Sequence, residues 1–256
     1  MKTYGISEIA VSAMRKEPDE RSEMVSQVLF GETFEILEII DRWSFIKLNL
    51  DQYEGWIDSK SITPLTENQY NEINNSTQTY TNLLFTTIKK NNKENLIVPF
   101  GSTLPIFHNE GQLFKIQQNS YTIDKDSLIE NRTPKDLLLQ WINAPYLWGG
   151  KSPMGVDCSG LVQLFYKVLG IKIPRDANRQ VKIGNNINFI ADSNIGDMAF
   201  FDDSEGNITH VGIILDKNLI IHASGKVRID KIDHQGIYNN EFKKYTHRLR
   251  VIKRIL

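Results

Sequence analysis

The spacing of apolar and polar positions divides the chain into three parts, of which the first predicts a small β-barrel. Between residues 11 and 63, short apolar runs are separated by turn-forming residues such as Gly31, Asp51 and Gly55. This spacing is typical of short strands. Residues 66–79 are rich in Asn, Thr, Ser and Gln and predict a connector that can include helix. We therefore assign residues 1–65 to a first barrel.

The next segment predicts a second small barrel because it repeats part of the first. Residues 30–36 (FGETFEI) align with residues 100–106 (FGSTLPI), and residues 56–58 (WID) align with residues 122–124 (TID). Nearly equal offsets at two separate places favour a tandem repeat over chance similarity. Connector and second barrel together are assigned to residues 66–130. Two unrelated β segments are the alternative interpretation.

From residue 131 the pattern changes to helices followed by strands. Thr133, Pro134 and Asp136 predict a helix start, because Thr caps well, Pro fits the first position and an acid fits the third. Apolar residues at three- and four-residue spacing predict a second helix that ends at Gly170. Strand-like runs then continue to residue 255. Residues 131–256 are thus expected to form an α+β domain.

Composition and charge exclude several classes of partner. The 256 residues carry 30 basic and 31 acidic side chains, a formal net charge of −1, so that nucleic acid is not an expected partner. No apolar run is long enough to span a bilayer, and a membrane is not expected either. Ser7 and Glu8 interrupt the first apolar residues before a signal peptide could form. The chain as written predicts a cytoplasmic protein, and we expect a monomer.

Cys158 is the single cysteine, which rules out an internal disulfide and a cysteine-rich zinc site. It lies between Asp157 and Ser159, immediately before the second predicted helix. The free N–H groups of a first helical turn stabilise a thiolate relative to a thiol. This position predicts a reactive cysteine and not a buried structural one. The backbone N–H of Cys158 is a candidate oxyanion donor.

A nucleophilic cysteine needs a base, and two of the five histidines are candidates. His210 and His222 lie in apolar, strand-like runs, whereas the remaining three lie in turn-like or polar surroundings: His108, His234 and His247. No metal or other cofactor is expected, because these residues lack the usual spacing of zinc ligands.

The sequence between the two histidines predicts that they act as a pair. If residues 216–218 form a three-residue hairpin turn, Gly212 lies opposite His222, and His210 opposite Ser224. Both imidazoles then project from one face of the sheet, where they can hydrogen-bond, with His222 orienting His210 as the base. A two-residue turn would shift the register and place them on opposite faces.

Six short motifs carry a resemblance to a known family. They are residues 145–150 (PYLWGG), 157–161 (DCSGL), 174–177 (PRDA), 196–198 (GDM), 210–213 (HVGI) and 221–223 (IHA). This ordered set resembles the NlpC-type cell-wall cysteine peptidases, whose domain is a circularly varied papain-like α+β fold. The N-terminal half resembles bacterial SH3-like barrels. The whole arrangement is similar to the γ-D-glutamyl-L-diamino acid endopeptidases, also called dipeptidyl-peptidase VI.

The resemblance implies an activity and a set of substrate contacts. Such an enzyme cleaves the γ-D-glutamyl–diamino acid bond of murein peptides that carry a free N-terminal L-alanine, because its first barrel reaches over the cleft. Glu23, Tyr53 and Asp176 would then contact the substrate amine. The hydroxyl of Tyr146 would assist at the oxyanion or simply pack, and Trp148 is expected in the core. Subsite residues would be Asp157, Ser159 and Ala177.

Other functions stay open at this point. The barrels could make the chain a wall-binding or sensing module with a degenerate catalytic domain. The same thiol and imidazoles could instead perform amidase or acyl-transfer chemistry on another amide. For the main interpretation, a cytoplasmic peptidase indicates peptide recycling, and either diaminopimelate or lysine can follow the glutamyl residue.

Overall fold

The computed structural model describes residues 2–108, 110, 112–124, 127–128 and 131–255. The first barrel is a seven-stranded antiparallel sheet of order β3-β2-β6-β5-β4-β1-β7. Its strands are β1 (Thr3–Ile6), β2 (Val11–Arg15), β3 (Met24–Leu29), β4 (Thr33–Ile40), β5 (Trp43–Leu48), β6 (Glu54–Asp58) and β7 (Thr63–Leu65). Alternate residues such as Phe34, Ile46 and Ile57 fill its interior. Strand β1 was not predicted, because it lies before residue 11, where the pattern of strand-like runs begins.

A helix follows the first barrel, as the polar connector allowed. It is α1 (Glu67–Asn75). Thr66 accepts a hydrogen bond from the backbone N–H of Gln69, and the Gln69 side chain accepts one from the N–H of Thr66. This reciprocal cap satisfies two amides that the first turn leaves unpaired. Ile73 is the buried residue of the helix.

The second barrel repeats the strand order of the first, which confirms the predicted repeat. Its strands are β8 (Thr79–Tyr80), β9 (Phe85–Lys90), β10 (Glu94–Pro99), β11 (Thr103–Leu104), β12 (Leu113–Ile116) and β13 (Asn119–Ile123). The order β10-β9-β13-β12 corresponds to β3-β2-β6-β5, and the pair β11-β8 corresponds to β4-β1. Gly31 and Gly101 hold equivalent left-handed turns, with φ of 75° and 79°. The domain boundary expected at residue 130 lies outside the described residues.

The C-terminal domain has the expected α+β order. Its helices are α2 (Pro134–Leu139), α3 (Cys158–Val168) and α4 (Ala177–Gln180). Its strands are β14 (Lys151–Ser152), β15 (Gly155–Val156), β16 (Asn185–Ile187), β17 (Met198–Asp202), β18 (Ile208–Asp216), β19 (Leu219–Ser224), β20 (Lys226–Ile232), β21 (Gly236–Asn239) and β22 (Lys244–Arg254). Seven strands form a sheet of order β16-β22-β17-β18-β19-β20-β21, and pairing of β21 with β22 closes six of them into a barrel. Helix α3 packs on this sheet through Leu161, Leu164 and Phe165.

A buried ion cluster joins the first barrel to the C-terminal domain. Glu32, in the turn between β3 and β4, accepts hydrogen bonds from Lys167 at 2.7 Å and from Lys151 at 3.3 Å. Burial alone would raise the pKa of Glu32, but the two ammonium groups lower it to about 2. Because removing one partner would leave an uncompensated buried charge, the cluster fixes the barrel against α3.

Among the helices in the described part of the chain, none combines the length and the apolar character needed to cross a bilayer.

Candidate active site

A cavity of about 560 Å³ lies between the first barrel and the C-terminal domain. Most of the residues expected at a site line it: Glu23, Tyr53, Asp157, Cys158, Ser159, Asp176 and Ala177. Two of them, Glu23 and Tyr53, come from the first barrel, whereas Cys158 is the first residue of α3. The structure thus brings together residues that are far apart in sequence: Glu23 and Ala177 are separated by 154 positions.

Asp157 fixes the start of α3. One of its carboxylate oxygens accepts a hydrogen bond from the backbone N–H of Gly160 at 2.7 Å, and the other accepts one from Gly149 at 2.8 Å. Arg175 donates to both oxygens, at 3.0 and 2.6 Å. Because these donors occupy the carboxylate, Asp157 shapes the cavity wall and holds the helix start in place.

The surroundings of Cys158 favour the thiol, whereas its position at a helix start favours the thiolate. Burial raises the pKa of Cys158 to about 11, the Asp157 charge adds to this, and backbone N–H groups of Val211 and Ser159 oppose it. The free N–H groups of a helix start favour a thiolate. Here burial outweighs them, since only 9% of Cys158 is exposed, and the Asp157 carboxylate acts in the same direction as burial.

His210, His222 and Asp230 form a buried chain of hydrogen bonds. His210 Nε2 lies 2.9 Å from His222 Nδ1, and His222 Nε2 lies 3.1 Å from Asp230 Oδ2. Burial would raise the pKa of Asp230, but hydrogen bonds with His222 and Arg228 lower it, so that it is a carboxylate. A carboxylate only accepts, which places a proton on His222 Nε2. His222 Nδ1 then accepts from His210 Nε2–H, and the Nδ1 lone pair of His210 is left free.

The strand register places both histidines on one face, as predicted, but through a different turn. Ile213 pairs with Ile221 and Ile214 with Ile220, whereas Asp216 pairs with Leu219. The expected three-residue turn at 216–218 is therefore wrong: the turn has two residues. An irregularity between Ile214 and Asp216 absorbs the difference and restores the register.

Close approach between the strands requires a glycine beside the histidine pair. A Cβ at Gly212 would lie 2.9 Å from the Cβ of His222 and 2.7 Å from a methyl carbon of Ile220. Real Cβ atoms do not tolerate such contacts, and Gly212 therefore makes room for His222 to reach His210.

The arrangement can deprotonate the thiol by general-base catalysis. The backbone N–H of Val211, the residue after His210, hydrogen-bonds to Cys158 Sγ, which places the sulfur against β18. Burial and the neighbouring imidazoles lower the pKa of His210 well below its usual value, so that its ring is neutral. A neutral imidazole with a free nitrogen can accept a thiol proton as the sulfur attacks.

Tyr146 lies next to the thiol and keeps its proton. Burial raises the pKa of Tyr146 to about 12, and the nearby carboxylate of Asp157 adds to this. A protonated phenol can donate to an oxyanion that forms at the attacked carbonyl, together with the backbone N–H of Cys158.

The opposite side of the cavity carries carboxylates. Burial raises the pKa of Asp176, and burial together with Asp176 raises the pKa of Tyr53 to about 12. Trp148 Nε1 donates to Glu23 Oε1 at 2.8 Å. Trp148 is 61% exposed, so its expected core position is wrong. Its indole N–H finds a partner on the first barrel, across the cleft.

Sequence reasoning missed three residues at this site, Arg175, Asp230 and His247, and it missed the contact between Trp148 and Glu23. Asp230 had a usable signal, because β20 pairs with β19 so that Arg228 lies opposite His222 and Asp230 two positions further on. His247 was set aside for its polar surroundings, yet its ring stacks on His210 with centroids 4.2 Å apart. Since β22 is far from β18 in sequence and lies two strands away from it in the sheet, no local pattern could have found this contact.

A buried thiol at a helix start and a histidine pair on an antiparallel sheet supply the nucleophile and base types that cysteine peptidases use. The NlpC/P60 family profile matches residues 143–250, and the profile of the bacterial dipeptidyl-peptidase Sh3 domain matches residues 14–62. The chain belongs to the NlpC/P60 family, as its motifs predicted.

Two relatives are known by function. The chain is 30% identical over 146 residues to a gamma-D-glutamyl-L-lysine dipeptidyl-peptidase of Bacillus subtilis, covering 53% of this chain and 49% of that protein. The alignment thus spans about half the length of that relative. The chain is also 25% identical over 249 residues to dipeptidyl-peptidase 6 of Lysinibacillus sphaericus. This second alignment covers 86% of the chain and 88% of that protein.

A solved structure shares the whole fold. The crystal structure of an NlpC/P60 family protein from Bacillus cereus superposes with a TM-score of 0.78, at 17% identity, over 98% of this chain and 99% of that one. The predicted fold, barrels followed by a papain-like α+β domain, is confirmed.

Proposed function

We propose that this chain is a γ-D-glutamyl-L-diamino acid endopeptidase that acts on peptidoglycan peptides with a free N-terminal L-alanine. The observation that carries the proposal is the shared cavity, in which Glu23 and Tyr53 of the first barrel face Cys158 of the C-terminal domain. The name of the Bacillus subtilis relative, gamma-D-glutamyl-L-lysine dipeptidyl-peptidase, supports this bond specificity.

In the proposed reaction, Cys158 Sγ attacks the γ-carbonyl of the D-glutamyl residue. His210 Nδ1 takes the thiol proton and later gives it to the leaving amine of the diamino acid. An acyl-enzyme remains, with L-alanyl-D-glutamate joined to the sulfur through its γ-carbonyl. A water deprotonated by His210 then releases the dipeptide and restores the thiol.

The carboxylates of the cavity suit the substrate's amino end. An ammonium group removed from water needs compensating negative charge, and an unpaired one costs several kcal/mol. Glu23 is held toward the cleft by Trp148, and Asp176 is half-buried beside Tyr53. An N-acylated peptide lacks the positive charge, and its acyl group would need space at the carboxylates. We therefore expect the enzyme to reject it.

The test is hydrolysis of two matched substrates, L-Ala-γ-D-Glu-L-Lys and its N-acetyl derivative, followed by chromatography of the products. The proposal requires release of L-Ala-D-Glu from the free-amine peptide, with at least about 100-fold lower kcat/KM for the acetylated one, a loss of about 2.7 kcal/mol. A parallel peptide with meso-diaminopimelate in place of lysine reports which diamino acid is preferred.

The same assay separates the remaining alternatives. Equal cleavage of both peptides would contradict the proposed recognition of the amine but would still support peptidase activity. Absence of cleavage with retained binding would favour a wall-binding or sensing module. Turnover only of other amides would favour amidase or acyl-transfer chemistry.

We further propose that the enzyme works on wall peptides inside the cell, in recycling, where free L-alanine ends arise once an amidase has removed the sugar. Cell fractionation with an antibody against the chain tests this. Recovery in the wall or culture-medium fraction would contradict the cytoplasmic setting.

A further inference from the structure

A third imidazole joins the histidine pair, and the proposed reaction gives it no role. His210, His222 and His247 each offer a ring nitrogen, and the three nitrogens lie within 4.8 Å of one another. The His247 ring stacks on His210 at a centroid distance of 4.2 Å and meets the His222 ring nearly edge-on at 5.6 Å. His247 comes from β22, which lies beside β17 and β21 and not beside the strands of the pair.

We propose that these three imidazoles form a site for a divalent transition-metal ion of the zinc type, and that occupancy switches the peptidase off. Imidazole nitrogen is a preferred zinc ligand, and three histidines with a water in the fourth position make a tetrahedral site. Binding does not depend on the proposed substrate. Inhibition rests on the role of His210 as base.

The hydrogen bonds around the cluster leave the necessary lone pairs. His222 donates from Nε2 to Asp230, so that its Nδ1 lone pair points to the cluster. His247 Nδ1 lies 2.9 Å from Thr246 Oγ1, which leaves Nε2 for a metal. A histidine ligand whose second nitrogen donates to a carboxylate is typical of zinc sites, and His222 with Asp230 has this arrangement.

Metal binding requires the His247 ring to rotate out of its stack on His210, because the two ring planes are inclined by only 27° and a metal must lie close to the plane of each imidazole. Zinc binds imidazole nitrogen at about 2.0–2.1 Å, so that two tetrahedral ligand nitrogens lie about 3.3 Å apart. The His210–His222 distance of 2.9 Å must open slightly, and His247 must move inward. His247 is only partly buried, which gives an ion access from that side.

Metal binding removes the base without a net release of protons. In the metal-free pair, His210 carries its proton on Nε2 and keeps Nδ1 free for the thiol. When Nε2 binds the metal, the proton moves to Nδ1 of the same ring, and that nitrogen can no longer accept the proton of Cys158. The sulfur then stays protonated and does not attack.

The test is a zinc titration against a chromophoric chelator, carried out in the Cys158→Ser background so that the thiol cannot contribute. We expect one zinc ion per chain, and binding weaker by at least about 100-fold when His247→Ala is added, because losing a ligand costs at least as much as losing a supporting contact. His234→Ala is the matched control, since His234 is exposed in the turn between β20 and β21. Circular dichroism checks folding, and His247→Gln replaces the alanine variant if that one unfolds.

Cobalt gives an independent reading of the same site. Tetrahedral cobalt with histidine ligands has visible absorption bands that free cobalt lacks, and these should appear with Cys158→Ser and vanish with His247→Ala. Zinc should also lower peptide hydrolysis by the wild type, reversibly with a chelator, and do so less for His247→Ala relative to that variant's own metal-free rate.

Several results would overturn the proposal: no zinc binding, binding that needs the thiol of Cys158, or binding that His247→Ala leaves unchanged. Because binding is measured without substrate, failure of the proposed hydrolysis would leave these readings intact.

Discussion

His222 Nε2 lies 3.1 Å from Asp230 Oδ2, and this contact determines which nitrogen of each histidine carries its proton. The carboxylate fixes the proton on His222 Nε2. His222 Nδ1 is then the acceptor in the 2.9 Å contact between the imidazoles, which places the proton of His210 on its Nε2. The nitrogen left free on His210 is the one that must serve Cys158. A residue on β20 thus sets the state of a base on β18.

Asp230→Asn should lower kcat by about 10- to 100-fold and leave KM nearly unchanged, because a neutral amide holds the His222 tautomer less firmly. Steady-state kinetics on the free-amine peptide measure this. Arg228→Gln is the matched control, since it removes the partner of Asp230 but keeps the carboxylate, and its loss should be smaller. Wild-type kcat in Asp230→Asn would show that the chain of hydrogen bonds does not act on His210.

Alkylation of Cys158 by iodoacetamide should be slow at neutral pH and accelerate steadily as the pH rises toward the thiol pKa of about 11. The thiolate is the reactive form, and its fraction grows about tenfold for each pH unit below that value. Mass spectrometry of the modified chain across a pH series follows the rate. A rate that is already constant near neutral pH would indicate a thiolate–imidazolium pair and contradict the neutral pair.

Trp148→Phe should raise KM for the free-amine peptide by about 2- to 10-fold, with little change in kcat or stability. The substitution keeps an aromatic ring but removes the N–H that donates to Glu23, a contact whose typical net value is about 0.5–1.5 kcal/mol. Met154→Leu is a suitable control, because Met154 is exposed in the turn between β14 and β15. Equal KM values for Trp148→Phe and the wild type would mean that Glu23 needs no partner to meet the substrate.

Local patterns predicted the parts of this fold that local forces determine. The cap at Thr133, the helix start at Cys158, the stop at Gly170 and the pairing of β18 with β19 all depend on residues a few positions apart. The repeat of the barrels was visible for a similar reason, since Gly31 and Gly101 each follow a buried phenylalanine in the same turn.

Contacts between distant parts of the chain were the ones that sequence patterns could not supply. The raised pKa of Cys158 reflects its burial and the charge of the Asp157 carboxylate. That carboxylate is itself paired with Arg175, which lies 18 positions further along the chain. Trp148 looks apolar in sequence, yet it is exposed and its N–H donates to Glu23 of another domain. His247 reaches the histidine pair because β22 lies two strands from β18 in the folded sheet.

Arg175→Ala should destabilise the protein by about 3–5 kcal/mol, because it leaves the buried Asp157 carboxylate without its cation. It also removes the hydrogen bond from Arg175 Nε to Ser26 of the first barrel. Urea unfolding measures the change. Arg21→Ala, which breaks an exposed pair with Asp19, should leave the free energy of unfolding unchanged. Similar stability of both variants would contradict the importance of the buried pair.

The most direct measurement is the rate at which Cys158→Ala releases L-Ala-D-Glu from the free-amine peptide, with folding of the variant verified by circular dichroism and by its urea midpoint. We predict that turnover disappears, because Cys158 is the nucleophile that forms the acyl-enzyme. Release of the dipeptide by a folded Cys158→Ala variant at a rate close to that of the wild type would contradict it.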